Sequence, residues 1–154
     1  MRLTAFLPIL LLATCGEPGG GNNAAAPGPG AAVQTETLTG LYESGAGEAG
    51  SRMCVIGERF GLVVVGDGER TCSGAGTVSR EGDRLRFVMT GSEACTIEAR
   101  IDGTHVGFAS GQPAGCAYYC ADGAVFAGAA LSKVGGTEED ARRAEDLVGG
   151  RLCG

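Results

Sequence analysis

Six cysteines follow a seventh that stands at the end of an export signal, and this arrangement limits the fold more than any other feature. Cys15 closes the sequence Leu12-Ala13-Thr14-Cys15. The others are Cys54, Cys72, Cys95, Cys116, Cys120 and Cys153. An odd count normally flags a leftover thiol. Setting Cys15 aside for lipid attachment, or removing it with the signal, leaves an even set for an oxidising compartment. Three disulfides are therefore expected. Six cysteines permit 15 connectivities, and spacing alone gives only a slight preference for Cys54 with Cys72, which flank a predicted hairpin. Cys153 is expected to fasten the C-terminal segment to the sheet. The rival reading is a zinc site, but there is no C-x-x-C pair, and three residues stand between Cys116 and Cys120.

The staples matter because the chain has little bulk with which to build a core. Of its 154 residues 29 are glycine, with 3 Tyr, 5 Phe and no Trp. Glycine adds backbone entropy to the cost of folding and supplies no side chain to bury, and a single domain of this length gains from cross-links.

The N-terminus carries an address. Met1-Arg2 is a short positive start, and Leu3 to Leu12 is uncharged and largely apolar. A membrane-spanning helix needs about 20 such residues, whereas this shorter run suits a signal peptide. Leu12 to Cys15 resembles the lipobox of bacterial lipoproteins, with Thr14 in place of the usual Gly or Ala. Gly16 after the cysteine implies, by the same resemblance, sorting to the outer membrane. The expected organisation is a signal peptide and lipobox over 1–15, a Gly/Ala/Pro tether over 16–35 and a disulfide-stabilised domain over 36–154. The alternative is cleavage near Ala24-Ala25-Ala26, which gives a soluble periplasmic protein.

Within the domain, short apolar runs alternate with turn dipeptides. Strands are predicted over Thr37–Glu43, Arg52–Ile56, Phe60–Val65, Thr71–Val78, Arg84–Met89, Ala94–Ile101, Thr104–Phe108 and Ala124–Leu131. Asp67-Gly68, Gly82-Asp83 and Asp102-Gly103 favour tight hairpins. The clearest period of two places Cys95, Ile97, Ala99 and Ile101 on a core face, opposite Thr96, Glu98, Arg100 and Asp102. The fold expected is mainly β, an antiparallel meander of about eight strands closed as a small barrel or folded as a sandwich. One helix is predicted over 137–148. Thr137 caps it, Asp140 stands at the capping-box position, and Ala141, Ala144, Leu147 and Val148 form an apolar face.

Composition and motifs exclude more functions than they suggest. Formal charge is −6, and −7 once Arg2 leaves with the signal, which repels nucleic acid, and no Lys/Arg run offsets it. His105, the only histidine, has no acid or nucleophile beside it in sequence and reads as a surface strand residue. Gly45-Ala46-Gly47-Glu48-Ala49-Gly50 matches the dinucleotide fingerprint in letters, but the run after it reads as a strand, where the fingerprint needs a helix. There is no G-x-S-x-G. No catalytic residue, metal or cofactor is assigned. The most individual segment is Gly115-Cys116-Ala117-Tyr118-Tyr119-Cys120-Ala121, where flanking disulfides would fix Tyr118 and Tyr119 as recognition anchors. The plainer reading has one ring covering a disulfide and the other packed on the sheet.

The stretches LTGLYESG (38–45), CTIEARIDG (95–103), GCAYYC (115–120) and DLVGGRLCG (146–154) resemble a family of small sphingomonad-type lipoproteins of unknown function. The resemblance covers most of the mature domain and implies no activity. A likeness in size, address and layout alone extends to envelope lipoproteins that inhibit lysozyme. The expected function is a non-catalytic cell-envelope lipoprotein acting as a binding or structural module. Its partners would be the membrane through its anchor and an envelope protein or wall component. The alternatives are an inhibitor of a lysozyme-like hydrolase and a lipocalin-like carrier of a small apolar ligand.

Overall fold

The computed structural model describes residues 37–45, 50–91, 95–121 and 123–154. The expected signal peptide, Cys15 and the expected tether lie outside them, as do residues 46–49 of the glycine-rich stretch. Eight antiparallel strands follow one another around a closed barrel: β1 (Gly40–Ser44), β2 (Ser51–Ile56), β3 (Arg59–Val65), β4 (Thr71–Glu81), β5 (Arg84–Met89), β6 (Thr96–Asp102), β7 (His105–Phe108) and β8 (Ala130–Gly135), which returns to pair with β1. Closure resolves the choice between barrel and sandwich, and it removes the exposed strand edges that an open meander of this kind would carry.

The wall is built by alternation. In β6, Ile97, Ala99 and Ile101 are buried while Glu98, Arg100 and Asp102 are exposed, and Cys95 just before it is fully buried. The interior is filled by Tyr42, Phe60, Leu62, Leu85, Phe87, Ile97, Phe108 and Leu131 among others. The Phe60 and Phe87 rings meet edge to face at 4.9 Å, and Phe87 lies 5.3 Å from Phe108. Such contacts add about 0.5–1.5 kcal/mol each beyond area burial.

One end of the barrel has three two-residue turns, between β2 and β3, β4 and β5, and β6 and β7. Gly103 adopts φ 56° in the last of these, a left-handed conformation that costs a side-chain-bearing residue energy. Lys133 lies near this end, donating to the Thr37 carbonyl at 2.7 Å with its ammonium 5.7 Å from the Tyr42 ring centroid. The long connections gather at the opposite end. Asp67-Gly68 is there, in a 3-10 turn over Asp67–Glu69 instead of a two-residue hairpin.

Three further expectations are corrected. The final strand is Ala130–Gly135, not Ala124–Leu131. Residues 124–129 turn over the barrel end and bury Phe126 completely, its N–H held by Gln112 Oε1 at 2.7 Å. The alternation of β8 was hidden because Lys133 takes the same strand face as Leu131.

The helix α1 spans only Glu138–Arg142, although Thr137 and Asp140 form the expected capping box. Asp146 ends any continuation. Its carboxylate accepts from the backbone N–H of Val148 at 2.9 Å and of Gly150 at 2.7 Å, turning the chain back so that Leu152 N–H reaches the Ala144 carbonyl. Leu147 and Val148 consequently point to solvent, Val148 at 90% exposure. Ala141 and Ala144 do face inward, against the outer wall of β1 and β2.

The disulfides are Cys54–Cys153, Cys72–Cys120 and Cys95–Cys116. A Cys54–Cys72 bridge is ruled out by the parity of the wall. Met53 and Val55 point inward, so Cys54 points outward, into a cluster with Ala141, Ala144 and Leu152. Cys72 belongs to the interior. With all six sulfurs bonded in pairs, they are not thiolate ligands for zinc.

Candidate functional site

The connection from β7 to β8, residues 109–129, forms a cap over the end with the long connections. Its central piece is a 3-10 turn over Ala114–Tyr119 that follows Pro113. Two bridges staple it. Cys116, fully buried, is joined to Cys95 at the entry to β6, and Cys120 is joined to Cys72 near the start of β4, with Cα atoms 3.9 Å apart. The backbone continues the second attachment, since Ala121 N–H donates to the Thr71 carbonyl at 2.8 Å.

The two tyrosines between these bridges have different surroundings. Tyr119 is half-buried against the core, and its hydroxyl donates to the Thr90 carbonyl at 2.8 Å. Its ring lies so close over β4 that a Cβ added to Gly74 would come within 3.1 Å of it. Tyr118 is 87% exposed, and its ring stands edge to face on Tyr119, centroids 5.2 Å apart at 86°. Tyr119 thus takes the plainer part, packed on the sheet, and serves as the base against which Tyr118 is presented. Val125, on the same cap, is also exposed.

Beside the cap a polar groove of about 460 Å³ runs between the 66–70 turn and residues 123–130, lined in part by Ser44, Asp67, Arg70 and Val125. Sequence reasoning missed it. Arg70 and Gly123 are far apart in the chain, yet the Arg70 guanidinium lies 2.9 Å from where a Gly123 Cβ would be. That approach follows from the Cys72–Cys120 bridge, which no local signal announces.

The chain matches no known protein family, curated protein or solved structure. Its chemistry therefore has to be read from its own residues.

His105 is exposed at the start of β7. The register sets Asp102 and Ser132 on either side of it across β6, β7 and β8, in the formal order of an acid, a base and a nucleophile. The chain of contacts is not made, however: the hydrogen-bond partner of His105 is Thr104 Oγ1, at 3.4 Å from Nδ1. Among the described residues, no three His, Cys, Asp or Glu side chains are grouped to hold a metal ion, and no helix is long and apolar enough to cross a membrane. Among the described residues Asp140 is the carboxyl held clearly below its ordinary range, by the hydrogen bond from the Thr137 hydroxyl, then by the Thr137 backbone N–H and the charge of Arg143. That arrangement belongs to a helix cap.

Proposed function

We propose that this chain is a non-catalytic cell-envelope lipoprotein, anchored through Cys15, that recognises an envelope protein or wall component with the stapled cap. The observation that carries the reading is Tyr118: a large amphipathic ring, 87% exposed, braced by Tyr119 and set between two disulfides. A ring ordered before binding loses little conformational entropy on contact, which is why rigid tyrosines make good anchors. The two other readings draw less from the geometry. A carrier needs an open cup, and here Phe60, Phe87, Phe108 and Phe126 occupy the interior. Inhibition of a lysozyme-like hydrolase rests on the net acidity of the chain and on a likeness in size, address and layout.

Two measurements test the proposal. The intact mass of the chain purified from membranes without reductant should show acylation at Cys15 and the loss of one hydrogen from each of the other six cysteines. An unlipidated mass beginning near Pro27 would remove the anchor. Chemical cross-linking in envelope preparations should then give one partner with the native chain and with Tyr118→Phe, reduced at least tenfold with Tyr118→Ala. The same partner captured equally by Tyr118→Ala overturns recognition by the cap.

A further inference from the structure

The three disulfides differ in how far solvent reaches them. Cys54, Cys72, Cys95 and Cys116 are fully buried, and Cys153 is 9% exposed. Cys120 alone among the six is only partly buried, packed against the core without being inside it. The Cys54–Cys153 bridge is enclosed with Ala141, Ala144 and Leu152, and the Cys95–Cys116 bridge has both members in the core. Cys72–Cys120 is the bridge that a reagent in solution meets first.

The same bridge holds down the half of the cap that follows Tyr119. Cys72 and Cys120 face each other as an isolated antiparallel pair, and beside them Ala121 N–H donates to the Thr71 carbonyl. From there the chain returns to β8 without a regular element, with φ of 77° at both Gly123 and Gly128. The earlier half has fastenings of its own, since Cys116 is tied to Cys95 and the Tyr119 hydroxyl to the Thr90 carbonyl. Opening Cys72–Cys120 therefore releases one half of the cap from β4 and leaves the other half stapled, with Phe126 as the buried anchor of the released part.

We propose that Cys72–Cys120 is an exchangeable bridge through which a dithiol reductant frees this half of the cap while the barrel stays folded. One thiolate of the dithiol attacks Cys120 Sγ, forming a mixed disulfide and displacing Cys72 as a thiolate, which takes up a proton. The second thiolate of the reagent then attacks its own sulfur in the mixed disulfide. Cys120 leaves as a thiol, and the reagent departs as a cyclic disulfide, having given two electrons to the protein. Access decides the order, not loop length: Cys95–Cys116 closes the shortest loop and is the least stabilising of the three by chain entropy, but its sulfurs are reached only after local opening. The exchange is a property of the bridge and stands whether or not the cap recognises a partner.

Timed reduction of the oxidised full chain tests it. Any free thiol is first blocked with iodoacetamide, dithiothreitol is added without denaturant, and the thiols it releases are trapped with N-ethylmaleimide and located by peptide mapping. Cys72 and Cys120 should be trapped at least tenfold faster than the other four, with the circular dichroism of the barrel unchanged. Amide exchange of the singly reduced chain should rise at least tenfold over 123–129 and stay as it was in β6. The double variant Cys72→Ala/Cys120→Ala should show that exchange pattern with no reagent present. Either of the other bridges opening first, or all three opening together, overturns the proposal. So does exchange over 123–129 that is the same before and after reduction, because the bridge then holds nothing in place.

Discussion

The carbonyl oxygen of Leu152 occupies the space into which a side chain on Gly61 would project: a Cβ built there would lie 2.3 Å from it. β3 needs a glycine at this point because the C-terminal segment lies directly on its outer face. Gly61→Ala should push that segment off the wall and destabilise the protein by about 1–3 kcal/mol, the usual range for overpacking. The loss should appear as a lower Tm and as faster amide exchange over 141–153. An unchanged Tm would mean that the segment yields freely.

The three bridges should differ in worth according to the length of chain each one closes. Sequence separations are 99 for Cys54–Cys153, 48 for Cys72–Cys120 and 21 for Cys95–Cys116. The chain-entropy relation gives about 4.7, 4.1 and 3.3 kcal/mol in that order. Pairwise replacement by alanine followed by denaturant unfolding measures the ranking. A reversed order would show that local packing at the cap outweighs loop closure.

Phe126 and Tyr118 belong to the same cap but should respond in opposite ways to truncation. Phe126 is fully buried, so Phe126→Ala should cost about 3–5 kcal/mol through lost burial and the cavity left behind. Tyr118→Ala removes an exposed ring and should cost about 0.5 kcal/mol or less. Urea titration of both variants checks this. A large loss with Tyr118→Ala would make that ring structural and weaken its role as an anchor.

Acid should loosen the start of α1 first. The Asp140 carboxyl is held below its ordinary value of 3.8 by Thr137, so it ionises at lower pH folded than unfolded. Its contribution is therefore complete above the unfolded value and disappears as pH falls below it toward the folded one. Asp140→Asn should flatten the part of the stability–pH curve that lies below about pH 4, where the unfolded carboxyl titrates. An identical curve for the variant would show that the capping contact adds no pH dependence.

The barrel was legible in the sequence wherever a strand obeys a strict period of two between recognisable turns. β6 is the clearest case, with its buried isoleucines and the Asp102-Gly103 turn after it. β8 was not legible, because Lys133 breaks the apolar side of its pattern and its neighbour Tyr42, which the ammonium overlies, is distant in sequence. The helix was overextended because Leu147 and Val148 fit an apolar face in period, while the Asp146 turn that ends it depends on backbone contacts beyond pattern. At the site, Tyr118 and Tyr119 could be singled out from their flanking cysteines, but their unequal exposure could not. A groove between β3, β4 and the C-terminal segment had no local signal at all, because its lining residues, from Ile56 to Gly154, come from parts of the chain that are distant in sequence.

The three bridges are nested, each enclosing the next from 54–153 through 72–120 to 95–116. A chain oxidised in the order in which its cysteines emerge would join 54 to 72, 95 to 116 and 120 to 153, and only the middle pair is native. Two of the three native bonds therefore have to wait for the barrel to bring their sulfurs together, or be reached by reshuffling wrong ones.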